Sequence, residues 1–549
     1  MTAAFQQPST TRLAPGVRVY PAEDDGPWTV KRPDGTYLRV GRDMGRLLQA
    51  LDGRSTAELA EALGAAWSAE SVEDALTRAR KMNLLPVHES SAASVPSATE
   101  RRVRFQPPLT VQFTLIRPTS MARRLQPLLR RVPRVVFAAA AVLFSVGGLL
   151  ALSFQTVAVR ETLSRPLPLW VLVSSFLTTT LVTGIHEFGH GLALARYGAI
   201  PSRMGFMLFY LTPTFFCDVS DGWRLPRRSQ RVVVALAGIA TQLTIGGIFA
   251  LVAAPVATFL GDHSWTSLFI VVALSTYTAS AVNLIPFVKF DGYIALMAHL
   301  DLPFLRERAT KDARSVLARW IFGGEPQDRE FPQFRWSILL FGLACLVAPI
   351  FLVATALAIC FPFLLAMGLI GRVLLVVVLL LLVFRFVRST WLAARASRAA
   401  GARPVRQLTG GLMMAVTIVA VLVGVRLPST VEAGFECTAD GARLVVAEAG
   451  PASRVHAGHE VLLMEQGLVR ADRLGTARVV AGPDQSAAAR HENVSIRTLV
   501  PVSDLDFLVD AWTFPLSSCP AESPRFGAAT VMTGMSSLGE VLWRSFFSS

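Results

Sequence analysis

Seven apolar runs constrain this chain more than any other feature. They lie near residues 134–154, 169–194, 231–254, 267–288, 336–362, 364–384 and 411–426. Each is about as long as the roughly 20 residues an α-helix needs to cross a bilayer. A water-soluble core has no room for so many, so residues 134–427 are expected to form a seven-span helical membrane domain. Composition agrees, with 52% of the 549 residues hydrophobic and 17% charged, far from the average soluble protein. The flanks, 1–88 and 428–549, are expected to be separate domains, and 89–133 a linker and basic juxtamembrane segment.

A net charge of +14 invites a nucleic-acid partner, but the arginines flank apolar runs instead of alternating with exposed aromatics, so none is expected. Membrane topology accounts for them. Nine arginines fall in residues 101–134, and further clusters follow the second run (Arg224, Arg227, Arg228, Arg231), the fourth (Arg306, Lys311, Arg314) and the sixth (from Arg385 to Arg406). By the positive-inside rule the N-terminus and the ends of the even-numbered spans are cytoplasmic. Residues 428–549, with nine basic against fourteen acidic side chains, then lie outside. No signal-peptide pattern occurs in 1–100, so the first span is expected to direct insertion. Forty-nine arginines against four lysines suit the codons of a GC-rich bacterium, and a multi-pass protein of a bacterial cell membrane is expected.

The N-terminal segment reads as strands at 17–20, Trp28–Lys31 and Tyr37–Val40, the last two turned at Pro33-Asp34-Gly35. Three helices follow: Met44, Leu47, Leu48 and Leu51 have helical spacing, Ser55 and Glu58 form a capping-box pattern, and Val72, Leu76, Ala79 and Met82 stripe a third helix. This order, with Leu51-Asp52-Gly53-Arg54-Ser55-Thr56 opening the second helix, resembles the PqqD-like winged-helix domain that recognises leader peptides of ribosomally made, modified peptides. The resemblance implies an α+β fold in which a leader peptide adds as a strand beside Tyr37, Leu38 and Val40, against the third helix. A DNA-reading winged helix would carry a basic recognition helix. Residues 68–83 instead mix Glu70, Glu73 and Asp74 with Arg78, Arg80 and Lys81.

Short β-like runs at 444–447, 461–464 and 494–500 predict a mainly β extracytoplasmic domain at the C-terminus. Residues 457–463 and 527–531, with Leu538-Gly539, resemble the barrel-sandwich domains of membrane-fusion adaptors. No lysine sits there to make a lipoyl-type carrier. Cys437 and Cys519 both fall in this domain, where a disulfide could persist. Cys217, Cys345 and Cys360 lie in or beside the membrane and are read as free.

The second apolar run contains His186-Glu187-Phe188-Gly189-His190. On a helix this spacing puts two imidazoles one turn apart on one face, with a glutamate beside them to take a proton from water. Three ionisable groups within one span are costly unless paired or coordinated, so a functional site is the default. Catalytic zinc takes three protein ligands. A third histidine six residues after His190 is absent (Arg196 stands there), and no glutamate occurs between Glu187 and Glu307. The carboxylates left are Asp218, Asp221, Asp262, Asp291 and Asp301. Asp291 ends a long apolar segment on the same expected side as the histidines and is the economical choice.

Here the chain resembles the site-2 protease family of intramembrane metalloproteases over roughly residues 169–300. That family's second motif matches Asn283, Pro286, Asp291 and Gly292, and residues 210–221 and 231–238 resemble its re-entrant segment and following helix. The resemblance implies a site-2 protease-like core with one Zn2+ per chain on His186, His190 and Asp291, and Glu187 as catalytic base. Asn283 is a candidate contact for the oxyanion or substrate; hydrogen bonding to backbone near Pro286 is the alternative. Residues 204–217, apolar and too short to cross, suit a re-entrant hairpin that offers an edge to an unwound substrate. Arg372 marks the outer end of the sixth span, with no role assigned.

The expected activity is that of a zinc metalloendopeptidase that hydrolyses a ribosomally made precursor peptide, removing its leader during peptide natural-product maturation such as that of daptides. The expected partners are that peptide and the lipid bilayer; oligomeric state is left open. Two rivals stand beside it: a noncatalytic peptide export or immunity protein, and a regulatory protease cutting a membrane-bound regulator. No G-x-x-x-x-G-K-[ST] loop is present for an ATP-driven exporter.

Overall fold

The computed structural model describes residues 12–21, 26–33, 36–86, 103–106, 110–116, 118–209, 212–325, 331, 335–438, 441–447, 449–468, 472–480, 490–519, 524–537 and 539–540. The stretch read as a Ser/Ala/Pro-rich linker, 89–100, and the turn residues Asp34 and Gly35 lie outside these.

In chain order the elements are β1 (Arg18–Tyr20), β2 (Trp28–Lys31), β3 (Tyr37–Val40), α1 (Arg42–Ala50), α2 (Thr56–Leu63), α3 (Ala69–Lys81), β4 (Val103–Gln106), β5 (Thr110–Ile116) and α4 (Thr119–Arg131). Then come α5 (Arg134–Phe154), α6 (Thr156–Ser164), α7 (Leu169–Arg196), β6 (Met204–Phe209), β7 (Thr212–Cys217), α8 (Arg228–Leu260), α9 (His263–Asn283) and α10 (Asp291–Leu300). Helices α11 (Leu305–Phe322), α12 (Arg335–Ala366), α13 (Leu369–Ala399) and α14 (Pro404–Gly424) precede strands β8 (Arg426–Thr438), β9 (Gly441–Val446), β10 (Glu460–Met464), β11 (Arg473–Arg478), β12 (Arg490–Ser495), β13 (Leu508–Leu516) and β14 (Phe526–Ser537).

Seven of these, α5, α7, α8, α9, α12, α13 and α14, are long and apolar enough to cross a membrane. Large apolar side chains such as Leu143, Phe176, Leu381 and Val416 stand exposed on them, as hydrocarbon surroundings allow and water does not. The fourth span stops at Asn283, short of the expected 288. Pro286 has no N–H to continue the helical ladder, and the chain turns through 284–290 before α10 begins at Asp291. Arg372 sits in the first turn of α13, its N–H bonded to the Gly368 carbonyl.

Contacts divide the chain into two compact units, one of residues 1–143, 180–245 and 276–303, the other of 144–179, 246–275 and 304–549. In the first unit, β1, β2 and β3 form an antiparallel sheet in that order. Strand alternation turns Trp28, Val30, Leu38 and Val40 toward α1–α3, where Leu47, Leu48, Leu59 and Leu76 are fully buried. Each such leucine stabilises the fold by about 1.5–3 kcal/mol. The Ser55–Glu58 capping box starts α2, satisfying N–H groups that would otherwise lack partners.

The first unit also holds a four-stranded antiparallel sheet, β4-β5-β6-β7. Its hairpin β6–β7 falls where a re-entrant segment was expected, but β4 and β5 come from residues expected to be linker. Thr110–Ile116 alternates polar and apolar side chains through Phe113, the pattern of a half-buried strand. Gly205 of β6 pairs with Thr114 of β5, and any Cβ there would collide with the Phe113 carbonyl.

In the second unit the C-terminal region is mostly β, a seven-stranded antiparallel sheet in the order β11-β10-β14-β8-β9-β13-β12. A bridge from Val479 to Leu516 shows it curling on itself around Phe435, Leu444, Val461, Leu463 and Val531. Cys437 and Cys519 are joined in a disulfide, Cα atoms 6.2 Å apart; Cys217, Cys345 and Cys360 are free. The run expected as a strand over 494–500 ends at Ser495. There the Ser495 hydroxyl accepts the Arg497 N–H and the Thr498 hydroxyl donates to the Ser495 carbonyl, winding Ile496–Thr498 into a 3-10 turn.

Candidate metal centre

All the groups of the centre lie in the first unit. His186 and His190 are one turn apart on α7 and only 3% and 5% exposed. Asp291 is the first residue of α10. His186 Nε2 lies 2.9 Å from Asp291 Oδ2, His190 Nε2 lies 3.4 Å from the same oxygen, and the two nitrogens are 3.2 Å apart. Metal–ligand bonds of about 2.0–2.1 Å in a tetrahedral site put ligand atoms about 3.3–3.4 Å from one another, so this spacing fits one small cation.

Hydrogen bonding within the centre supports the same fit. His190 Nδ1 donates to the Val234 carbonyl at 2.8 Å, which leaves its Nε2 as the nitrogen that could bind a metal. That nitrogen faces a carboxylate oxygen and a second imidazole nitrogen. The two histidines pair with the Asp291 carboxylate as the residues stand, and the same three atoms are the ones a cation would take. His186 Nδ1 is buried without a hydrogen-bond partner among the described residues.

Helix α8 leaves room for the centre. A Cβ at Gly238 would stand 2.6 Å from His186 Nε2 and closer still to His190 Nε2. At Gly189 a Cβ would stand 3.0 Å from the Ala237 carbonyl, so the backbones of α7 and α8 approach closely there. Arg231, Val234, Gly238 and Thr241 share one face of α8 at helical spacing.

Glu187 is beside the ligands in sequence, and its Oε2 accepts the backbone N–H of Cys217, the last residue of β7, at 2.9 Å. Among the described residues, strand β7 pairs with β6 on one side only. Cys217 supplies a backbone donor, not a nucleophile: burial first, then the Glu187 and Asp218 carboxylates, push its thiol well above the usual range, and a neutral thiol is a poor ligand and nucleophile.

The other carboxylates weighed as third ligand are engaged elsewhere. Asp218 takes Ser202, Arg203 and Ser220; burial alone would raise its pKa, but these hydrogen bonds outweigh it and hold the carboxyl below its usual range. Asp221 accepts from Tyr37 and from Lys31 and is likewise lowered against the cost of burial. Asp262 caps the Ser264 N–H, and Asp301 holds Arg39 and Arg231. Among the described residues, His186, His190 and Asp291 form the one group of three or more that could hold a metal. Asn283 is half-buried at the last position of α9, with no side-chain hydrogen bond among the described residues.

At the N-terminal domain the side chains of Leu38 and Val40 face that domain's own core, and the Tyr37 hydroxyl donates to Asp221. Among the described residues β3 pairs only with β2, which leaves its outer backbone edge open. Sequence reasoning missed Gly238, the Val234 carbonyl and the Cys217 N–H. None carries a side-chain signal, since one acts by lacking a Cβ and the others through backbone. No protein-family model matches the chain, nor does any curated protein or solved structure.

Proposed function

We propose that this chain is a zinc-dependent endopeptidase working within the bilayer, of the site-2 protease kind, and that it removes the leader from a ribosomally made precursor peptide. The observation that carries this is the convergence of His186 Nε2, His190 Nε2 and Asp291 Oδ2 within 2.9–3.4 Å, under a glycine that makes room for an ion and next to a glutamate. Two imidazoles and one carboxylate are a donor set of catalytic zinc. Zinc held there would supply Lewis-acid chemistry, polarising a carbonyl and making water nucleophilic near neutral pH.

The remaining work belongs to the chain. Glu187 Oε2 is occupied by the Cys217 N–H, so Oε1 is the oxygen that takes the proton from water and later returns it to the leaving amine. A helical substrate shields its peptide bonds; lying along the unpaired edge of β7, a peptide becomes extended and passes the end of the strand where Cys217 touches Glu187. Asn283 donates its amide to the developing oxyanion. The N-terminal domain, read as a winged helix on the cytoplasmic side, recruits the leader along the outer edge of β3; the C-terminal β region is read as extracytoplasmic.

Mass spectrometry of a candidate precursor co-expressed with the intact chain or with Glu187→Gln tests the activity. Cleavage by the intact chain alone supports it; equal cleavage by both rejects Glu187 as base. Removal of residues 1–88 tests recruitment, and native processing without them would overturn leader recruitment by this domain.

A further inference from the structure

Helix α10 carries Asp291 at its first position, and its other end is held by an unusual residue. Asp301 caps the helix in the left-handed region (φ 55°), where glycine or asparagine is favoured. It also puts a negative charge at the negative end of the helix dipole, which is unfavourable. Neither choice suits a simple helix stop. The carboxylate is only 6% exposed and gathers three guanidinium groups: Arg39 Nη2 at 2.5 Å and Arg231 Nη2 at 2.7 Å, with Arg228 Nε at 3.6 Å.

Two of these cations connect to the centre by different routes. Arg231 is on α8, on the face that presents Val234 to His190 and Gly238 to the ligand nitrogens. Arg39 belongs to β3, and its neighbours on the same face of the hairpin act in parallel. Thr29 donates to the Trp223 carbonyl, while Lys31 and Tyr37 donate to Asp221. Asp221 follows β7, whose last residue holds Glu187. One face of the β2–β3 hairpin thus grips both segments that bear on the catalytic groups.

We propose that Asp301 is a positioning residue for Asp291, bracing α10 against α8 through Arg231, and that Arg39 links the N-terminal domain to that brace. The proposal rests on reading His186, His190 and Asp291 as a metal centre. A peptide strand added beside β3 then acts on the strand that holds Asp301, so the domain that binds the peptide also sets the ligand geometry.

The test is zinc affinity of the purified full-length chain, measured by competition with a chromophoric chelator, for the parent, Asp301→Asn, Arg39→Ala and the double variant. Asparagine suits the left-handed cap and relieves the charge at the helix end, so a mere helix stop predicts unchanged or higher stability and unchanged affinity. Positioning predicts a loss of about 10–100-fold for Asp301→Asn, the range for groups that orient metal ligands. Arg39→Ala should lose about fivefold or more, and the double variant should be no worse than Asp301→Asn alone because both act through one network. Arg39→Ala leaves the Asp301–Arg231 pair in place, so its result stands even if Asp301→Asn does not fold. Parent-level affinity in both single variants overturns the positioning role. A parent chain that binds no zinc overturns the metal centre itself, a separately visible failure.

Discussion

The C-terminal β region and the helix-borne centre both bury charge, and they settle it in opposite ways. In the β region Glu436 is almost wholly buried, yet Arg443 and Arg525 pair with both of its oxygens, and the surrounding core is apolar. At the centre two imidazole nitrogens and a carboxylate oxygen face one another, and His186 Nδ1 has no hydrogen-bond partner among the described residues. At Glu436 the β region satisfies a buried charge internally, because each unmade bond to it would cost about 1–3 kcal/mol or more. At the centre the donor atoms converge on one another instead, in a group that could hold a metal.

The difference can be broken most sharply at Glu187. Glu187→Gln should lower peptide hydrolysis by about 10²–10⁴-fold, the contribution of a general base, while zinc content measured on the purified chain stays at the parent level; loss of zinc would mean the residue holds the site together instead. Next comes Gly238→Ala, whose methyl group intrudes on both ligand nitrogens. Zinc affinity should fall by at least about a hundredfold, read by chelator competition, with the melting of the C-terminal β region unmoved.

The reverse lesion sharpens the contrast. Cys437→Ser opens a link between residues 82 apart in sequence and should destabilise the β region by about 2–4 kcal/mol. Denaturant unfolding followed by tryptophan emission reports that change, and zinc affinity should not follow. The smallest expected effect is Ser55→Ala, which removes the cap of α2 and should destabilise the N-terminal domain by about 1 kcal/mol, visible as a shift in its proteolysis midpoint.

What was legible in the sequence was what repeats or carries charge. The spans announce themselves because crossing hydrocarbon demands about 20 apolar residues in succession, and His186, Glu187 and His190 because ionisable groups are rare in such runs. The capping box of α2 is local, so four residues suffice to see it. Tertiary facts were harder. Strand β5 alternates visibly, but its partner β6 lies across two membrane helices, and nothing local says the two meet. Asp301 and Asp291 were both weighed as ligands, and only the fold shows that they sit at opposite ends of one helix with different partners. Gly238 is one of thirty-nine glycines and acts through what it lacks.

The pairing of β5 with β6 also sets a clock on the ribosome. Roughly ninety residues separate the two strands, and at about 5–20 residues per second synthesis opens a delay of several seconds between them. During that interval the helix bearing both histidines is made while β5 has only β4 beside it and its other edge waits for β6. Chains arrested before residue 204 should therefore be cut readily by protease near residues 103–116, and chains arrested beyond residue 217 should resist.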